Sequence, residues 1–522
     1  MKLRTVLTDG IEDKKLTSAT VLARCEFAKN LEEAGDYEAA IDAMGELWTQ
    51  DAAGIVENLT ETAAAEVLLR KGVLTGWMGS TRQLEGSQDD AKDLISRSIT
   101  TFEGLRDVRK VAEAETELAY CYWRQGGFDE ARAILDVALS RLSEKETCQR
   151  ARIYLRKALL ENSATRLNDS LRILREALSL VEASNNHALQ GKFHNTLALV
   201  LKNLAEAEQR DDYIDRALIE FAAASFHFEQ AGHMRYQGCV ENNLGFLFLK
   251  LGRFNEAHEH LNRARRLASE AHDYGHLAQF NDTVSRLLLA EGRYEEAERL
   301  SRTVVKTLER GGEQALLAEA LTTHAVSLAR VGERPRSRGE FERAIVIAEN
   351  SGDLPAAGRA RLCLIEELGD GMPVKELATI YQAAAELLEP SQDPATRKQL
   401  SSCTRKILEA LNTELTQPLS SNDAENEATT TWEGFSFRSE VIRYEQLLIQ
   451  RALRDAGGIV SRAAQLLGFK HHQSLISLLN TRHKTLIQAR SPVRSRRRSI
   501  ISARRKSRRM PDHSLASKRV EM

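Results

Sequence analysis

LGRFNEA at residues 251–257, AEGRYEEA at 290–297 and RVGERPRS at 330–337 are one motif written three times. Their last residues, Ala257, Ala297 and Ser337, stand 40 apart, and the same step separates Ala91 from Ala131. Ala40, Ser170 and Ala217 are further equivalents with less regular spacing. A second small residue lies twelve positions earlier, at Ala28, Gly79, Ala119, Ala158, Gly245, Ser285 and Ala325. A third lies seven positions later, at Ser98, Ala138, Ala177, Ala224, Ala264 and Ala344. Small side chains at these offsets let two antiparallel helices approach closely, and the Gly-Arg-aromatic turn between them reverses the chain. A fixed period of this length marks a repeat array whose units bury their cores against one another.

Composition agrees with an all-α fold. The 522 residues include only 8 prolines and 6% aromatics, with 42% apolar residues, a helical rather than a β-rich balance. The net charge of -2 hides an asymmetry: from Arg482 onward 14 Lys/Arg face only Asp512 and Glu521, a charge of +12, which leaves -14 on residues 1–481. An acidic body with a basic tail calls for an acidic partner. The N-terminal MKLRTVLTDGIEDKK reaches Asp9 and Glu12 before an apolar segment can form, and the richest apolar run, 244–249, stops at Lys250. Neither a secretion signal nor a membrane span is expected. Cys25, Cys121, Cys148, Cys239, Cys363 and Cys403 form no CxxC pair and read as reduced thiols. Together these features predict a cytoplasmic protein, associated with the nucleoid if the acidic partner is DNA.

Over residues 20–350 the repeat resembles the tetratricopeptide pattern, including Leu118, Leu197 and Leu244 just before the small residue of the first helix. The resemblance implies an α-solenoid superhelix of about eight helix pairs, with 40-residue units in place of the family's 34. Irregular pairs are expected between Ala40 and Ala91 and around residues 206–212. Three residues before the small anchor, the inner-face position reads Thr116, Asn195, Asn242, Asp282 and Thr322. Such a ladder suits the backbone of a bound peptide, as in tetratricopeptide receptors for bacterial signalling peptides. Equally, short polar residues are ordinary beside a packed seam. Asn195, Asn242 and Asp282 are the partner-binding candidates. Beyond Ser337 the repeat fades into helices expected at 356–368, 374–388 and 396–411. The chain thus divides into a repeat solenoid at 1–350, a helical cap at 351–412, a flexible linker at 413–437, a helix-turn-helix at 438–486 and a disordered basic tail at 487–522.

The helix-turn-helix rests on SEVIRYEQLLIQRALRDAGGIVSRAAQLLGF, residues 439–469. Val441, Tyr444, Leu448 and Ala452 make an apolar stripe ended by Gly457 and Gly458. Ser461 can N-cap a short second helix with Ala463, Ala464 and Leu467 inside, and Gly468 supplies the turn. The run resembles the Fis-type module of bacterial activators. Ile459 stands where that family usually has Asn, and Gly468 to Leu475 is one residue longer than usual. The resemblance implies duplex DNA as a partner and a homodimer through this module. It assigns DNA contacts to Ser461, Arg462, His471, His472, Gln473, Ser474, Ser477, Arg482 and Lys484, with Leu475, Leu478 and Leu479 packing the recognition helix. Twelve basic residues between Arg482 and Arg509, with no acid before Asp512, would neutralise phosphates. The same run also fits nuclear import or anionic lipid.

No phosphate-binding loop, dinucleotide fingerprint, nucleophile elbow or HExxH helix is present, so neither an enzyme nor a cofactor is expected. His258, His260, His272 and His276 are the nearest approach to a metal set, and surface histidines of repeat helices explain them equally well. Two readings remain: a DNA-binding regulator whose solenoid takes a protein or peptide partner, and an adaptor whose tail docks on any polyanion.

Overall fold

A computed structural model describes residues 17–49, 59–208, 211–416, 436–469 and 471–489, with no strand among them. Two units emerge, 1–416 and 417–522. The first opens with α1 (Ser18–Glu33), α2 (Tyr37–Met44) and a single turn, α3 (Glu46–Thr49). Helix pairs follow: α4 (Glu61–Arg82) and α5 (Ser87–Gly104), α6 (Val108–Gln125) and α7 (Phe128–Arg141), α8 (Thr147–Ser163) and α9 (Leu167–Glu182), α10 (His187–Glu208) and α11 (Asp211–Gln230). The regular 40-residue section is α12 (Met234–Lys250) with α13 (Phe254–Glu270), α14 (Tyr274–Ala290) with α15 (Tyr294–Leu308), and α16 (Gln314–Arg330) with α17 (Arg334–Ser351). The expected cap is α18 (Leu354–Leu368), α19 (Val374–Leu388) and α20 (Pro394–Thr416). Its first two helices form one more pair of the same kind. Because α20 runs through residue 416, the first residues assigned to the linker are helical, and the rest of it, 417–435, lies outside the described residues.

The small residues do what their spacing predicts. Ala28, Ala40, Ala91, Ala131, Ala158, Ala257, Ala264, Ala297 and Ala325 have no exposed surface. At Ser170 and Ser337 the hydroxyl is taken up by the partner helix, Ser170 Oγ donating to Ala158 O at 2.7 Å and Ser337 Oγ to Ala325 O at 2.7 Å, while Ser285 Oγ donates to Asn281 O of its own helix. A Cβ on buried Gly245 would stand 2.6 Å from Leu261 Cγ and 3.3 Å from Ala257 O, so the first helix approaches the second more closely than a larger residue allows. Of the extra residues around 206–212, 206–208 belong to α10 and 211–212 to α11, which span 22 and 20 residues. After Ala40 the short α2 ends at Met44 and the single-turn α3 follows, and residues 50–58 lie outside the described residues.

The superhelix also closes on itself, which the spacing did not reveal. Arg235 Nε donates to Gly35 O at 2.9 Å, and its two other nitrogens reach Glu38 and Asp273. Ser80 Oγ donates to Glu313 Oε1 at 2.6 Å, and Gln83 Nε2 to Glu313 Oε2 at 3.1 Å. The Gln392 N–H donates to Thr165 O at 2.8 Å. Partners 200 to 233 residues apart thus lie side by side, so successive superhelical turns pack edge to edge. His233, Asp273, Glu313 and Asp353, each at the start of a first helix, are 1%, 2%, 8% and 3% exposed in this seam. Ser80 and Gln83 of the facing turn satisfy Glu313, whereas His233, Asp273 and Asp353 each accept from a backbone N–H of their own helix, those of Tyr236, His276 and Ala356. A Cβ on Gly275 would sit 2.3 Å from Ser80 O, a backbone atom that cannot swing aside. Gly275→Val is therefore expected to part the two turns, costing about 1 to 3 kcal/mol or more. A lowered urea midpoint together with a larger radius of gyration in solution scattering would show it; an unchanged radius would contradict the seam.

The second unit contains α21 (Phe437–Asp455), α22 (Val460–Leu466), α23 (His472–Thr481) and a 3-10 turn at Lys484–Ala489. Ile449, Ala452, Leu453, Ala456, Ala463, Ala464, Leu475, Leu479 and Leu486 close its core. Of the apolar stripe expected on α21 only Ala452 is buried. Val441, Tyr444 and Leu448 are 40%, 69% and 49% exposed, because α22 and α23 cover only the C-terminal half of α21, on the face of Ile449, Ala452, Leu453 and Ala456. Nor does Ser461 cap α22. Gly457 and Gly458 both take positive φ, +60° and +79°, the left-handed region glycine enters freely. That double reversal makes Ile459 the cap residue, so α22 starts at Val460 with no side-chain cap and Ser461 is exposed in its first turn. Gly468, at φ +73°, makes the expected sharp turn.

Candidate functional site

Charged and aromatic side chains from the first helices crowd the inner face of the solenoid. Arg70 of α4, 2% exposed, donates to Glu32 Oε2 at 2.6 Å and Glu113 Oε1 at 2.9 Å, with Glu66 at 3.6 Å. Lys110 reaches Glu66 at 2.7 Å and Lys29 reaches Glu113 at 2.9 Å, so three carboxylates meet three cations. Burial pushes the Glu32 carboxyl up to about 7 against the pull of Arg70. Burial works the same way on Glu113, but Arg70, Lys29 and Lys110 outweigh it and hold that carboxyl down to about 2. A cavity of about 40 Å³ beside this network is lined by Lys29, Glu33, Glu117, Gln149 and Arg152, among others.

Next to it runs a column of rings and cations. Tyr37 stacks on Trp77 with centroids 4.8 Å apart, and Trp77 meets Tyr120 at 5.2 Å. The Arg124 guanidinium lies 4.0 Å from the Trp77 ring, and that of Arg156 lies 3.5 Å from Tyr120. Lys192 Nζ sits 5.1 Å from the Tyr236 ring. Sequence reasoning missed these groups. The available signal was the pairing of Glu113 and Glu117 on α6 with Arg152 and Arg156 on α8, like charges four apart on one helix face opposed by the other sign on the next.

Of the polar ladder, Thr116 lines the cavity beside the Arg70 network, Asn195 and Thr322 are partly exposed, and Asn242 and Asp282 are buried. Asn242 and Asp282 are 6% and 7% exposed, each with one side-chain oxygen unpartnered. Burial raises the Asp282 carboxyl. Asp282 accepts from Arg286 Nε at 2.8 Å, Asn195 Oδ1 accepts from Asn243 Nδ2 at 3.0 Å, and the Thr116 and Thr322 hydroxyls donate to carbonyls of their own helices. Three of the four histidines considered for metal have carboxylate partners: His258 with Glu291 at 2.9 Å, His260 with Glu241 at 2.7 Å and His276 with Asp273 at 2.8 Å.

In the second unit, His471, His472, Gln473, Ser474 and Ser477 are all exposed, while Leu475 and Leu479 on the opposite face are fully buried and Leu478 partly so. Seven rather than six residues after Gly468 therefore still bring Leu475 into the core. Ser461, Arg462, Arg482 and Lys484 are exposed as well, with Arg482 3.5 Å from Glu445. A residue the sequence reading passed over anchors the far end: His483 is 1% exposed and its Nε2 lies 3.2 Å from Glu445 Oε2 on α21. The basic run from Arg490 onward lies outside the described residues.

The described fold is an all-α, tetratricopeptide-like solenoid followed by a small three-helix unit. Residues 236–310, from α12 into the turn after α15, match the tetratricopeptide repeat family. No curated protein matches the chain. Among solved structures it is similar to a Rap protein complexed with competence and sporulation factor, at 14% identity and a TM-score of 0.47, over 66% of this chain and 99% of that one. A signal transduction ATPase with numerous domains and a tetratricopeptide repeat sensor, from Pyrococcus horikoshii, aligns at 14% identity and a TM-score of 0.39, over 74% of this chain and 54% of that one. Aspartyl phosphate phosphatase F from Bacillus subtilis gives 13% identity and a TM-score of 0.35, over 74% and 97%. No described helix is long and apolar enough to cross a membrane.

Proposed function

We propose that this chain is a DNA-binding transcription regulator, in which α22 and α23 form a helix-turn-helix of the Fis type and the solenoid receives a protein or peptide partner. The observation that carries the reading is the composition of the exposed start of α23. His471, His472, Gln473 and Ser474 project from a helix whose other face, Leu475 and Leu479, is wholly buried. Gln pairs bidentately with adenine in the major groove, Ser and His reach base edges or phosphates, and the helix N-terminus favours the phosphate backbone. Arg462, Arg482 and Lys484 add exposed charge around it, and the twelve Lys/Arg from Arg490 onward add more.

The exposed Val441, Tyr444, Leu447 and Leu448 on α21 favour a homodimer, since an apolar stripe of this kind on a small module is ordinarily covered. On the solenoid, Asn195, Asn242 and Asp282 contribute to partner binding from behind the inner surface, Asp282 by fixing Arg286 and Asn195 by fixing Asn243.

Capture of genomic DNA fragments by the full chain tests this reading, with a chain ending at residue 489 as comparison. Enrichment of a common sequence by both proteins, weaker in the shorter one, is expected. Capture of fragments without sequence preference, abolished by the truncation, would leave a polyanion-binding adaptor.

A further inference from the structure

Lys192 on α10 is a cation without an acid. Among the described residues no carboxylate lies within 4.0 Å of its ammonium, and its neighbour is the face of Tyr236. The charged groups facing it are Arg152 and Arg156 on α8, Glu117 on α6 and Glu33 on α1, with His233 from the turn before α12. Both acids are already engaged: Glu33 with Arg152 at 2.7 Å, and Glu117 with Arg156 at 3.6 Å. Three cations thus meet two carboxylates, and the odd charge is the one that lacks an ion pair. The group remains within reach of solvent, since Lys192 is partly exposed and the Arg152 and Arg156 side chains are 33% and 16% exposed. The cavity of the neighbouring ion network shares Arg152 but is lined by Glu32, Glu33, Glu113 and Glu117 as well, and neither Lys192 nor Arg156 is among its walls. A semi-enclosed charge surplus of this kind is costly unless an anion neutralises it.

We propose that the inner face of the solenoid binds a compact oxyanion, a phosphate or a small carboxylate, held by Lys192 and Arg156 with Arg152 at its edge and Tyr236 beneath. Arg156 offers a planar fork of donors to two oxygens and Lys192 a point charge to a third. The ligand would tie α8 to α10, and through Tyr236 to α12, at the place where the second superhelical turn meets the first. This site belongs to the solenoid alone, so its test is independent of the DNA reading.

Burial, Arg156 and Arg152, in that order, lower the Lys192 ammonium to about 8 from its ordinary 10.5. The unfolded chain therefore holds more protons than the folded one between those values, and without anion this group makes stability rise with pH across that window. A bound oxyanion reloads the ammonium, so binding near pH 8.5 takes up a proton. The experiment uses the full chain with inorganic phosphate, then acetate, against chloride at matched ionic strength. Thermal unfolding follows stability, and calorimetry in two buffers of different ionisation enthalpy follows the proton. Phosphate should raise the melting temperature progressively with concentration and bind with net proton uptake; a response to acetate as well would assign the site to carboxylates generally. Lys192→Met should fold, melt no lower than the parent, weaken phosphate binding at least tenfold and abolish the uptake, whereas Lys192→Arg should retain binding. No response of the parent beyond chloride, or an undiminished response and proton uptake in Lys192→Met, would overturn the proposal.

Discussion

Arg70→Met is expected to destabilise the solenoid by about 3 to 5 kcal/mol at pH 7, the range for removing one partner from a buried ion network. The guanidinium is 2% exposed and serves Glu32, Glu66 and Glu113 at once. Without it those carboxylates keep only Lys29 and Lys110 as close cations. Met matches the aliphatic stem and so leaves packing largely intact, which confines the loss to charge. The deficit should shrink in acid, and the sign follows from Glu113. Held down to about 2 in the folded chain against an ordinary 4.5, that carboxylate contributes stability that is complete above 4.5 and disappears as pH falls toward 2. Urea titrations of parent and variant at pH 7 and pH 4 measure the difference; a loss below about 1 kcal/mol at pH 7 would mean that the network is no more than a solvated surface cluster.

Deleting residues 490–522, which removes twelve Lys/Arg, is expected to weaken binding to every duplex and to flatten its salt dependence. Serine and proline interleave these arginines, a composition that supplies charge rather than geometry. Their contribution is then counterion release, and the slope of log affinity against log salt should fall by about 0.9 for each phosphate no longer neutralised. Discrimination between sequences should survive, because the groups that can read bases stand on α23. Fluorescence anisotropy of one specific and one random duplex across a salt series separates the two contributions.

The fold was readable because its determinants are local and periodic. Ala257, Gly245 and Ala297 announce close helix crossings by spacing alone, and each is buried where the repeat requires. The seam joining Arg235 to Gly35 and Glu313 to Ser80 was not readable, since it depends on superhelical pitch over 200 or more residues, a sum of small rotations that no local pattern records. The ladder of Asn195, Asn242 and Asp282 shows the same limit in miniature. Its period was found, but a shift of one residue on a helix turns a side chain by roughly 100°, from the open inner face into the contact between neighbouring helices. In the second unit the glycines at 457, 458 and 468 were read correctly as turns. The buried stripe of α21 was misplaced because Val441, Tyr444 and Leu448 are as apolar as the true core residues, and only the extent of α22 and α23 decides which are covered.

The central claim, that α23 reads DNA sequence, is tested most directly by changing Gln473 and Ser474 to Ala in the full chain. Both side chains are exposed, so the fold should be unaffected. The affinity gap between a selected duplex and random DNA should narrow by about 1 to 3 kcal/mol for each good base interaction removed, while the salt slope stays almost unchanged. The selected site should be an inverted repeat with half-sites about one helical turn apart, as a dimer of such modules requires. Equal affinity for all duplexes in the parent, or a gap unmoved by Gln473→Ala and Ser474→Ala, would contradict the claim and leave binding to charge alone.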